Sequence, residues 1–124
     1  MAGGIIAFHQ VLTRPDQSRR LMPNRYGLHV KFIAHRGKRD ALLEDLLAAA
    51  EGIGMLPGCQ LYLVSVSPTE PDSVFVTEVW ESATVHDASL DSESVRQLVG
   101  SARPLIASSE RTVIQPVGGR GLGA

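Results

Sequence analysis

The sequence predicts an α+β fold built on one antiparallel sheet. Residues 26–33 and 59–66 alternate apolar and polar side chains as strands do, and residues 37–52 carry an apolar stripe at helical spacing. The third observation is the run from residue 74 to 80, which is apolar on both faces and contains a single carboxylate, Glu78, and the only tryptophan, Trp80. A strand that is apolar on both faces must be covered on both.

The first half of the fold is predicted as strand, helix, strand. Tyr26 opens a strand that places Leu28, Val30 and Phe32 on the same face, with His29 on the other. The helix over residues 37–52 is followed by the turn pair Pro57-Gly58, and the second strand occupies residues 59–66.

The second half is predicted as strand, two helical pieces, strand. Residues 67–73 have turn composition and indicate a long hairpin loop before the strand from residue 74. Ser82 is the expected N-cap of a helix over residues 83–90, and Asp91 or Ser92 caps a second piece that Pro104 bends or ends. The last strand is predicted over residues 111–117.

The resulting order, β-α-β-β-α-β, is that of a ferredoxin-like fold with both helical segments on one face of the sheet. A second copy of the chain would cover the other face, so we expect a homodimer. Residues 1–25 form an expected N-terminal arm, residues 26–117 the domain and residues 118–124 a flexible glycine-rich tail.

The composition excludes several classes of partner. The formal net charge of −1 is close to neutral, and this balance disfavours a nucleic-acid partner. One cysteine cannot form an internal disulfide, which favours a reducing cytoplasm. No run approaches the roughly 20 apolar residues of a membrane span, so no membrane association is expected. The four histidines are scattered, and the pattern does not indicate a metal site.

Three short motifs in order resemble a known family: Pro57-Gly58-Cys59, Glu78-Val79-Trp80-Glu81-Ser82 and Ile114-Gln115-Pro116. Over about residues 26–119 the chain is similar to the antibiotic-biosynthesis monooxygenase (ABM) domain. That family forms a dimeric α+β barrel and includes quinol oxygenases that use no cofactor. The resemblance implies a pocket between sheet and helices that Glu78 and Trp80 face, and oxygenation by dioxygen of a small aromatic substrate without bound metal or flavin.

Glu78 is the sharpest candidate for catalysis. A carboxylate within an apolar strand must be paired, hydrogen-bonded or protonated. Desolvation would raise its pKa and make it a base toward a phenol, whereas the structural alternative is a buried ion pair with Lys31 or Arg111. Trp80 is either a core residue or a platform for a flat ligand.

Histidine, tyrosine and serine side chains complete the predicted site. Many relatives place a histidine where this chain has Ser89, and His86 lies one helical turn earlier, where it could serve the same cavity. His86 is therefore the second predicted catalytic residue, although His86 to Ser89 could equally be a polar patch at the pocket edge. Tyr62, His29 and Ser89 are predicted to hold substrate oxygens, with His29 either lining the cavity or meeting the dimer partner.

The sequence thus predicts a cofactor-independent monooxygenase for a quinol or other polyphenol. Two alternatives remain open at this stage. One is a dimer of the same fold that binds ligands, or acts in stress, without catalysis. The other is a cofactor-free isomerase or lyase acting on a similar substrate.

Overall fold

A computed structural model describes residues 24–122 of the chain. Four strands and three helices follow one another in the order β1 (Tyr26–Ala34), α1 (Arg39–Ile53), β2 (Cys59–Ser67), β3 (Glu70–Trp80), α2 (Ala83–Ser89), α3 (Glu93–Ala102) and β4 (Ile106–Ile114). The predicted arm over residues 1–25 lies almost wholly outside the described residues, as do residues 123–124 of the predicted tail.

The strands form one antiparallel sheet in the order β2-β3-β1-β4, which confirms the predicted ferredoxin-like α+β fold. Leu42 and Leu46 of α1 are completely or almost completely buried, and they pack with Val74 and Val76 of β3. The helices therefore cover the sheet face that carries the even-numbered residues of β3.

The caps predicted for the two short helices form as expected. The Ser82 hydroxyl accepts a hydrogen bond from the Val85 amide at the start of α2, and Ser92 does the same for Val95 at the start of α3. Pro104 ends α3 through a single 3₁₀ turn, Arg103–Leu105, and the chain enters β4 at once.

Two predicted boundaries were wrong. The long hairpin loop is absent, because β3 begins at Glu70, which pairs with Ser67 and leaves only Pro68 and Thr69 between the strands. Pro71 is tolerated there because the pairing of β2 with β3 is irregular at that point and β1 does not extend to it. The last strand begins at Ile106 and ends at Ile114, several residues earlier than predicted.

The second face of the sheet carries mixed chemistry. His29 accepts or donates a hydrogen bond to the Thr77 hydroxyl at 3.0 Å and stacks near Phe75, while Lys31 pairs with Glu70 at 2.6 Å. Leu63 on this face is 51% exposed, whereas Val79 is buried beneath a concavity that residues 115–122 help to line. The described chain thus leaves an apolar portion of this face open to solvent.

Candidate functional site

A cavity of about 340 Å³ lies between the helical layer and the covered face of the sheet. This volume is typical of small-molecule sites. Strands β1 to β4 contribute its floor, and α1, α2 and α3 contribute its roof. The residues that line it with polar groups are Tyr62, Glu78, Trp80, His86, Ser89, Ser109 and Arg111. Five of the six predicted site residues therefore border one cavity.

His29 is the predicted site residue that lies elsewhere. Leu28 is directly opposite Glu78 in the pairing of β1 with β3, and both line the cavity. His29 is opposite Thr77, so its ring projects from the other face of the sheet. Of the two positions that the sequence left open for His29, the structure selects the face away from the cavity.

Glu78 is hydrogen-bonded but not ion-paired within residues 24–122. The Trp80 indole Nε1 donates to Glu78 Oε1 at 2.9 Å, across two residues of the same strand face. Lys31 is paired with Glu70 on the other face, and the Arg111 guanidinium donates to the Tyr26 hydroxyl at 3.0 Å. The ion pair proposed as the structural alternative for Glu78 does not form.

Burial raises the pKa of the Glu78 carboxyl above its ordinary value of 4.5. The Trp80 hydrogen bond and the electrostatic interactions with His86 and Arg111 oppose this effect without cancelling it. A carboxylate with a raised pKa is a stronger base than one in water. Within residues 24–122 the Trp80 indole is its one hydrogen-bond donor, and it bonds Oε1, so Oε2 can accept a proton from a ligand.

His86 is held in the cavity wall by aromatic neighbours. Its ring lies 4.7 Å from the Tyr26 ring and 5.7 Å from the Trp80 ring, centroid to centroid, and the side chain is buried. Its Nδ1 is 3.2 Å from the Asp87 carboxylate, which is exposed to solvent. The imidazole is thereby fixed at Nδ1, and Nε2 is the nitrogen available to a ligand.

Ser89 and Tyr62 have more limited roles. The Ser89 hydroxyl donates to the His86 carbonyl, one turn back along α2, which satisfies the serine within the helix. Tyr62 faces Glu78 from β2, and burial together with the negative charge of Glu78 strongly raises the pKa of its phenol. Tyr62 therefore remains protonated and can act as a hydrogen-bond donor but not as a base.

The structure adds Tyr26 and Arg111 to the predicted set. Arg111 lies opposite Val30 in β4 and lines the cavity, and its bond to Tyr26 connects it to the residue that packs on His86. The alternation of β1 already placed Tyr26 on the face of Leu28, which was a usable signal. The sequence offered Arg111 only as an ion-pair partner for Glu78 and as the first residue of the last strand, which in the structure begins at Ile106.

Cavity, aromatic wall and desolvated carboxylate together define an α+β protein with a small-molecule site under its helices. The family model for antibiotic biosynthesis monooxygenase matches residues 25–100. The chain therefore belongs to the antibiotic biosynthesis monooxygenase family.

Solved structures agree with this assignment. A protein of Chloroflexus aurantiacus J-10-fl assigned as an antibiotic biosynthesis monooxygenase is 42% identical, with a TM-score of 0.74 over 81% of this chain and 100% of that one. SnoaB of Streptomyces nogalater, a cofactor-independent oxygenase solved as a point mutant, is 14% identical, with a TM-score of 0.66 over 74% and 92%. A Bacteroides thetaiotaomicron protein described as a possible oxidoreductase is 21% identical, with a TM-score of 0.69 over 74% and 97%.

The last two likenesses concern the fold alone. The comparison with curated proteins found no match. None of the helices between residues 24 and 122 has the length and apolar character needed to span a membrane.

Proposed function

We propose that this chain is a monooxygenase that oxidises a quinol or related phenol with dioxygen and without a bound metal or flavin. The observation that carries the proposal is the Glu78 carboxylate, desolvated in an apolar cavity with one oxygen left for a ligand. Membership of the family supports the reaction class, and SnoaB provides a precedent for cofactor-independent oxygenation on this fold.

The first chemical step is removal of the phenolic proton by Glu78. The electron pair of the broken O–H bond delocalises into the ring, so that a ring carbon becomes nucleophilic. Arg111 supplies a positive charge on the same cavity wall and stabilises the phenolate, while the protonated Tyr62 hydroxyl can donate to its oxygen.

Dioxygen then accepts electrons from the deprotonated ring, and a carbon–oxygen bond forms to give a hydroperoxide. The hydroperoxide loses water when the proton on that carbon is removed and the O–O bond breaks. One oxygen atom remains in the quinone product and the other leaves as water, so the substrate itself supplies the electrons. His86 Nε2 lies in the cavity wall as a second group able to move a proton.

The proposed working unit is a homodimer in which the open sheet faces meet. Leu63 is the exposed apolar residue that supports this arrangement most directly, since an aliphatic side chain in the middle of a strand is left half in water. Pairing of two such faces is the isologous contact typical of small oligomers. A reducing, cytoplasmic setting remains our expectation from the single cysteine.

One observation favours a second candidate function. The Ser89 hydroxyl is bonded to a backbone carbonyl of its own helix and offers no acid or base to a ligand. A dimer that binds aromatic ligands without turning them over would fit that feature. In this case His86 and Trp80 would form the aromatic wall of a binding pocket.

The test is oxygen consumption with a 1,4-dihydroxynaphthalene as substrate, corrected for autoxidation, with isotopic dioxygen to follow the oxygen atom. We expect one labelled atom in the quinone and a loss of about 10²- to 10⁴-fold in kcat for Glu78→Gln. Glu70→Gln is the matched control, because it removes a carboxylate from the same strand outside the cavity. Binding without oxygen uptake would favour the second candidate, and equal activity of both variants would exclude Glu78 as the base.

A further inference from the structure

The cavity that contains Glu78 continues beyond it. A second cavity of about 390 Å³ adjoins the first and runs between α3 and the start of β4. The two have five lining residues in common, so they form one elongated cleft: Phe32, Leu46, Leu98, Val99 and Ser109. We call the end around Glu78, His86 and Arg111 the polar chamber, and the end around Ala102 and Ile106 the apolar chamber.

The two chambers differ in chemistry. The polar chamber holds every titratable group of the proposed reaction, namely Glu78, His86, Tyr62 and Arg111. Beyond the shared residues, the apolar chamber is lined by Ala102, Ile106 and Arg103, and Arg103 is exposed at its outer edge. A ligand that fills the whole cleft must therefore be polar at one end and hydrocarbon along the rest.

We infer that the substrate of this enzyme is a phenol or quinol that bears an apolar chain, with its ring in the polar chamber and the chain under α3. The inference rests on the proposed function for the identity of the ring. The chain-binding part depends only on the continuity of the cleft and on the apolar side chains that make up most of the described wall of its second half. Ile106 and Val99 are then specificity-determining residues, because they line the path that the chain must take.

Trp80 offers a direct readout of binding. It is the only tryptophan in the chain and it lines the polar chamber, so its fluorescence reports a ring bound there. The probes are hydroquinones that carry no substituent or an unbranched alkyl chain of increasing length, titrated under nitrogen. We expect the dissociation constant to fall by about three- to fourfold per methylene until the chain reaches the outer edge at Arg103.

Two variants block the apolar chamber in different ways. Ile106→Phe enlarges a half-buried residue at the chamber floor, and Val99→Phe enlarges a 44% exposed residue of α3, which is the safer change for folding. Both should abolish most of the gain from the chain. Ile106 lines only the apolar chamber, so Ile106→Phe should leave the affinity for unsubstituted hydroquinone within about twofold. Val99 also borders the polar chamber, so Val99→Phe is compared only for the loss of the chain effect. Gly100→Phe is the matched control, since a Cβ at this neighbouring position on α3 would meet nothing within 4 Å and Gly100 lines neither chamber.

The possible results separate this inference from the proposed function. Affinity that is independent of chain length, or a chain effect that survives both blocking variants, overturns the inference even if hydroquinones are oxidised. Chain-dependent binding that the blocking variants remove supports it even if no oxygen is consumed, and in that case the proposed oxygenase reaction fails alone. Loss of the chain effect in Gly100→Phe as well would contradict the assigned path.

Discussion

Gly58 lies in the turn between α1 and β2 and faces α2, the helix that carries His86, so replacing it tests the geometry of the site. Its φ angle is +83°, a left-handed conformation that costs a residue with a Cβ about 1–2 kcal/mol. A Cβ at this position would also overlap Cγ1 of Val85 in α2. The Gly58 carbonyl accepts a hydrogen bond from the Glu81 amide at 2.8 Å, which holds the turn against the end of β3. Overpacking of this kind costs a further 1–3 kcal/mol or so.

We therefore expect Gly58→Ala to lower the free energy of unfolding by about 2–5 kcal/mol, measured by urea denaturation. Val85 precedes His86, so displacement of Val85 should also move the imidazole and weaken ring binding as detected by Trp80 fluorescence. In a Val85→Ala background the overlap is gone, and the cost of Gly58→Ala should fall to the backbone contribution of about 1–2 kcal/mol. If the two substitutions destabilise additively, Val85 does not press on residue 58 and this account of the turn is incorrect.

Three further predictions address the carboxylate, the cavity wall and the second sheet face. Because the pKa of Glu78 is raised in the folded state, ionisation of Glu78 destabilises the fold above that pKa and has no effect below the ordinary value of 4.5. Glu78→Gln should therefore raise Tm at about pH 8 and leave it nearly unchanged at about pH 4. A difference in Tm that is the same at both pH values would contradict desolvation as the cause. His86→Phe should keep the packing against Tyr26 and Trp80, and hence Tm within a few degrees, but it should reduce turnover at least about tenfold. Ser89→Ala should leave turnover within about twofold, because the serine hydroxyl is already bonded within the helix. Equal losses of turnover in the two variants would mean that α2 acts only as a structural wall. If the proposed dimer forms, Leu63→Asp should give a monomer in analytical ultracentrifugation, while replacement of Leu47, an equally exposed leucine of α1, by Asp should not. A wild type that sediments as a monomer at micromolar concentration would refute the proposed pairing.

The sequence predicted the half of the site that lies on strands with clear alternation. Leu28 and Val30 of β1, and Glu78 and Trp80 of β3, share the cavity face as their spacing required. The cap residues fixed the start of α2, and this placed His86 in the roof of the cavity. These positions follow from local rules, namely a period of two in strands and a side-chain acceptor at the helix start.

The remaining site residues are placed by strand pairing, which cannot be predicted from a local sequence pattern. The first five residues of β4, Ile106 to Glu110, are mostly small or polar and show no alternation that would identify a strand. Their structure comes from β1, which supplies the hydrogen-bonding partners and thereby places Arg111 opposite Val30. Similarly, the face on which His29 projects is settled by its pairing opposite Thr77, a contact 48 residues away in sequence.

The structure also accounts for how one strand can hold a desolvated carboxylate in a domain of this size. The first part of β3 is sealed by α1, since Val74 and Val76 pack against Leu42 and Leu46 and are almost completely buried. The second part lies under α2, which has only seven residues, and under α3, and there Glu78 and Trp80 line the cavity. The favourable burial of Val74 and Val76 at one end of β3 thus offsets the unfavourable burial of the Glu78 carboxylate at the other end. Because glutamine has the shape of glutamate, Glu78→Gln leaves the buried Val79 and Trp80 in place, which makes the variant a test of chemistry rather than of folding.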